Sequence, residues 1–179
     1  EIHDETINVA LLLSDAYYKN KQYKKAKNVA AYVLSVERRK QKNFDFALLS
    51  PIANLAFACF RCDDFTNAEK LFEEALAISL KAPEKYSHDI KTYKIYLADS
   101  LKKSGQHLKA AEKLKRFIES ENANSPVDNF LAGLYSRLAE NLAHIKNKAP
   151  EAELFYLKSI DFLKNQNDFY RLNEERLKL

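Results

Sequence analysis

Glycine and proline are scarce, with 2 and 4 copies among 179 residues. So few turn formers exclude the many tight turns of a barrel or sandwich of strands and leave long helices joined by short links. Methionine and tryptophan are absent, and there are only 2 cysteines. Two thiols build no disulfide framework and suit a reducing compartment, so a cytoplasmic setting is expected. No apolar run approaches the roughly 18 residues of a membrane span, and no secretory signal opens the chain. With Glu1 as its first residue and no methionine, the chain is expected to be a segment of a longer protein.

What is abundant is core material and charge. The 11 Phe and 10 Tyr exceed what a disordered chain carries. The net charge of +4 hides an alternation: residues 1–43, 44–85, 86–127 and 128–179 carry +4, −3, +3 and 0. A nucleic-acid binder presents a sustained basic stripe, so no nucleic-acid partner is expected.

The chain repeats every 42 residues. Tyr23-Lys24-Lys25-Ala26, Phe65-Thr66-Asn67-Ala68, His107-Leu108-Lys109-Ala110 and Ala149-Pro150-Glu151-Ala152 place an alanine at one fixed interval. Four residues after each alanine come Ala30, Phe72, Leu114 and Tyr156, and seven after come Val33, Ala75, Phe117 and Ser159. Offsets of four and seven share one face of a helix, so each alanine opens a buried stripe. Twelve residues before the first three alanines stand Ser14, Ala56 and Ala98, each after a leucine. A small residue there lets a first helix approach a second closely. Repeat four carries an extra residue before its alanine.

This predicts eight helices, over 3–19, 22–41, 45–61, 65–81, 86–103, 107–121, 127–144 and 150–164, with a further helical tail over 167–178. Ser125-Pro126 and Pro150 are helix-start signals. Ser50-Pro51 either starts its helix late or kinks it one turn in. Gly105 supplies the turn of the third pair, where Lys21 stands in the first.

The residues Asn54, Leu55, Ala56, Phe65, Ala68, Phe72 and Ala75, with Leu97, Ala98, Leu101, Gly105 and Ala110, resemble the tetratricopeptide repeat. The usual repeat is near ~34 residues. A period of 42 is similar to the long variety of kinesin light chains, Leu-Gly-Asn-type spindle-orientation adaptors and Rap-type bacterial peptide-responsive regulators. The resemblance implies an all-α fold: a right-handed α-solenoid of four helix-turn-helix repeats, near 3–43, 44–85, 86–125 and 126–166. Residues 167–179 would then form a capping helix or the start of a further repeat.

In that family first helices line a concave groove, which implies candidate ligand contacts. They are Tyr18 in repeat one; Asn54, Phe57 and Arg61 in repeat two; Tyr96, Asp99 and Lys103 in repeat three; and Arg137 in repeat four. The aromatics offer contact area at little entropic cost, and Asn54 can both donate to and accept from a peptide backbone. Phe57, Phe60 and Tyr96 are equally open to a role as core between repeats.

The other patterns carry little chemistry. Cys59-Phe60-Arg61-Cys62 has the spacing of a zinc half-site, but no other cysteine completes it, and the pair reads as helix packing. His3, His88, His107 and His144 lack the i, i+4 pairing of a helical metal site. Lys19, Lys21, Lys24, Lys25 and Lys27 at one turn, and Arg38, Arg39, Lys40 and Lys42 at the next, read as solvated helix ends, with a nucleic-acid or anionic-membrane patch as the alternative. No catalytic residue, metal or cofactor is expected. The resulting expectation is a non-enzymatic adaptor that binds a protein or peptide. The alternatives are a peptide-sensing domain of a larger regulator and a structural subunit of a complex. Apolar residues of the tail, among them Phe169, Tyr170 and Leu172, suggest dimerisation through that helix.

Overall fold

A computed structural model describes residues 4–40, 45–122, 129–165 and 175–178. They form eight helices: α1 (Asp4–Lys19), α2 (Tyr23–Arg39), α3 (Asp45–Arg61), α4 (Phe65–Ser79), α5 (Ser87–Lys103), α6 (His107–Asn122), α7 (Asn129–Ala143) and α8 (Ala149–Asn165). The fold is all-α, with no strand among the described residues. Each helix end falls within two residues of the expected one. Ser125-Pro126 and most of the tail helix, with Phe169, Tyr170 and Leu172, lie outside the described residues.

The alanine register explains the hairpins. Ala26, Ala68 and Ala110 are fully buried and Ala152 nearly so. Each donates its backbone N–H to the residue four before it: Gln22, Asp64, Gln106 and Lys148. The stripe continues through Ala30, Phe72 and Leu114, all at 0 % exposure, and through Tyr156. On the facing helices Ser14, Ala56 and Ala98 are buried, as is Ala139, which takes that place in the last pair one residue early. The Ser14 hydroxyl donates to the Ala26 carbonyl at 3.1 Å, so the two helices meet at the alanine itself. A larger side chain at either point would hold the backbones apart.

The turns repeat as well. Lys21, Asp63, Gly105 and Asn147 all take positive φ, at 58°, 59°, 76° and 64°. In the first three turns the residue after it bonds back five positions, Gln22 to Tyr17, Asp64 to Cys59 and Gln106 to Leu101. The left-handed residue itself bonds back three, and together these close a Schellman motif. The fourth link is longer, running from His144 to Lys148. Pro51 lies well inside α3, six residues after its start, so the helix does not begin late. Lacking an N–H, Pro51 leaves the Ala47 carbonyl without its helical partner.

Two compact units are present, residues 1–100 and 101–179. In the first, α1, α2, α3 and α4 pack in sequence order, with α1 also touching α3. In the second, α7 packs against both α6 and α8.

Candidate ligand-binding surface

In the first unit the aromatics gather around Phe57 of α3. Its ring lies edge-on to Tyr96 of α5 at 5.0 Å and to Phe72 of α4 at 5.2 Å between centroids, and Tyr18 of α1 is 6.4 Å away. Phe60 meets Tyr96 edge-on at 5.1 Å. These edge-to-face contacts bind the helices together. Phe57 and Tyr96 are therefore packing residues whose half-exposed sides alone are open to a ligand.

Beside them lies a pocket of about 180 Å³ lined by Ser14, Asp15, Tyr18, Asn54 and Phe57. Ser14 is committed to Ala26, and Asp15 pairs with Lys19 at 2.6 Å. The half-buried Asn54 amide has no hydrogen-bond partner among the described residues. Arg61 closes the α3 end, donating from Nε to the Tyr18 hydroxyl at 3.2 Å with its guanidinium over the Tyr23 ring at 5.8 Å. The bond to Tyr18 raises its pKa further.

The expected contacts thus separate. Tyr18, Asn54, Phe57, Arg61 and Tyr96 come together in the first unit, where Asp99 also lies, half-buried on α5. Lys103 and Arg137 belong to the second unit. There Lys103 is exposed at the end of α5, and Arg137 Nη1 donates to the Gly133 carbonyl one turn back on α7 at 3.2 Å.

Other groupings were not foreseen. Glu140 of α7 is gripped by Lys102 at 2.6 Å and by Lys178 at 2.8 Å. Burial works to raise its pKa, and the two lysines outweigh that, holding it below the usual carboxylate range. Ser136 donates to the buried Glu175 at 2.8 Å, so residues 175–178 sit on α7. His107 and His144, which sequence spacing kept apart, stack at 4.4 Å, and His107 Nδ1 is 3.1 Å from the Asn141 side-chain oxygen. One signal could have found them. The ion pairs Lys27–Asp64, Arg38–Glu74, Lys102–Glu140 and Lys115–Glu151 are all 36 to 38 residues apart, and His107 and His144 fall in that window.

The cysteines are both free, Cys59 buried and Cys62 half-buried. Burial pushes the Cys59 thiol up to about 11. Among the described residues no group of three His, Cys, Asp or Glu side chains could hold a metal ion, and no helix is long and apolar enough to cross a membrane.

Residues 41–120 match the tetratricopeptide repeat family. That segment carries tetratricopeptide repeats. A structure from Podosopora anserina, described as a kinesin light chain with nearly identical TPR-like repeats, superposes with a TM-score of 0.80 at 19 % identity. That match covers 92 % of this chain and 78 % of the other. Aspartyl phosphate phosphatase F from Bacillus subtilis superposes at 0.70 with 17 % identity, over 98 % of this chain and 45 % of the phosphatase. At these identities the likeness is one of fold. No curated protein matches the chain in sequence. Tetratricopeptide repeats are a protein-interaction fold, and such proteins are generally non-catalytic scaffolds.

Proposed function

We propose that this tetratricopeptide-repeat chain is an interaction scaffold that holds an extended peptide segment of a partner protein against α1 and α3. The observation that carries the reading is Asn54, whose unpaired amide stands in a pocket walled by Tyr18 and Phe57. The amide is open to solvent in the unbound chain, and a peptide unit offers the carbonyl and N–H that would pair with it. The rings supply apolar contact beside it, the pairing that extended-peptide recognition uses. The free thiols of Cys59 and Cys62 suit a cytoplasmic setting.

Selection of a random-peptide display library on the chain, followed by fluorescence anisotropy of the enriched peptides, tests this. Asn54→Ala should weaken them by about tenfold while leaving the helical circular dichroism unchanged. Peptides that bind Asn54→Ala as tightly as the parent would place recognition elsewhere.

A further inference from the structure

The turn between α1 and α2 holds an open cleft of about 460 Å³ with an unusual lining. Lys21, Lys24, Lys25 and Arg61 surround it, and Asp63 is the one carboxylate in its wall. The neighbouring cations on the same two helix ends are already neutralised, Lys19 by Asp15 and Lys27 by Asp64. Those in the cleft are not. Lys21 and Lys24 have no carboxylate partner among the described residues, and Lys25 lies over the Tyr17 ring at 5.4 Å.

Arg61 is held by two contacts. Its Nε–H is spent on the Tyr18 hydroxyl and its plane is steadied by Tyr23, while the two terminal nitrogens have no partner among the described residues. A guanidinium fixed at one edge, with a free fork at the other, is suited to grip two oxygens of one anion. Gln22 also lines the cleft, with its side-chain oxygen buried and unpartnered. Helix α2 adds the N–H groups of Tyr23, Lys24 and Lys25, which precede its first helical bond and receive no side-chain cap, whereas Asp64 caps α4.

The fold itself does not ask for these cations. One repeat later the places of Lys24 and Lys25 are taken by Thr66 and Asn67, on a turn of the same backbone form. We infer that this cleft is an oxyanion site that takes the phosphoryl group of a phosphorylated side chain on a partner protein. Four cations against one carboxylate favour a dianion over a single carboxylate. A nucleic acid needs a track of successive phosphate contacts, and the following 42 residues carry net charge −3. The protein source rests on the scaffold reading; the oxyanion site does not.

The test is an amide-resolved NMR titration at constant ionic strength with inorganic phosphate, then with a phosphoserine peptide of neutral flanks and its unphosphorylated twin. Saturable shifts at Tyr23, Lys24 and Lys25 that weaken about tenfold in Arg61→Gln and in Lys24→Gln/Lys25→Gln support the site. Non-saturating shifts, or affinities that neither variant changes, overturn it. Both variants alter exposed side chains, and unchanged far-UV circular dichroism separates loss of binding from loss of fold. Tighter binding of the phosphopeptide than of its twin and of an oligouridylate supports the protein source. An oligouridylate that binds more tightly, with the same dependence on Arg61, overturns the protein source while leaving the anion site.

Discussion

Lys21, Asp63, Gly105 and Asn147 hold the same left-handed conformation at the same point of each repeat, yet glycine occupies only one. An L side chain there is strained by Cβ against the following carbonyl, by about 1–2 kcal/mol for an ordinary residue and less for Asn or Asp. Around Gly105 an added Cβ would meet nothing within 4 Å, so the cost of Gly105→Ala is backbone strain alone. We expect Gly105→Ala to lose about 1 kcal/mol and Lys21→Gly to gain up to about 1 kcal/mol, with Asn147→Gly gaining less than Lys21→Gly. Urea unfolding at unchanged slope measures all three. A neutral Gly105→Ala would mean that the turn relaxes out of this conformation.

At the scale of elements, one buried ring of α4 ties α3 to α5. Phe72 is at 0 % exposure and touches Phe57 on α3 and both Tyr93 and Tyr96 on α5. Phe72→Ala removes these contacts and leaves a cavity that close-packed helices cannot refill, at a cost of about 3–5 kcal/mol. Phe60→Ala, at a half-buried ring, should cost less than half of that. Chemical denaturation of the two variants side by side checks the ranking. Equal losses would show that the edge-on Phe60–Tyr96 contact matters as much as the buried centre. The same packing warns that Tyr96→Ala would damage the fold together with any binding, which is why Asn54 is the cleaner probe of the pocket.

For the whole molecule, the relevant sum is over carboxylates held by cations. Asn67 and then Lys27 hold the Asp64 carboxyl below the usual carboxylate range, and Glu140 is lowered likewise, its two lysines outweighing burial. Both values are depressed on folding, so their stabilisation is complete above the unfolded values and is lost as pH falls through the folded ones. The melting temperature should be level from neutral pH to about 5 and fall below about pH 4. Glu140→Gln should melt lower at pH 7 and show a shallower acid fall. An acid limb as steep as the parent's would mean that Glu140 is not among the groups whose protonation unfolds the chain.

The sequence by itself determined the helix pairs, the 42-residue register and the family, because a buried stripe is written in residue order as offsets of four and seven. The family resemblance also implied Tyr18, Asn54, Phe57, Arg61, Tyr96, Asp99, Lys103 and Arg137 as groove contacts, and of these the structure brings the first five together in one unit. Only the tertiary structure decided which of them are structural. Burial rewards an aromatic ring equally whether it faces another helix or a ligand, so nothing local distinguishes Phe57, wedged between Tyr96 and Phe72, from a free contact. The Glu140 clasp, the His107–His144 stack and the unspent fork of Arg61 were likewise fixed in three dimensions. Each depends on which side chains lie close enough to satisfy one another across helices, and that proximity is a product of packing.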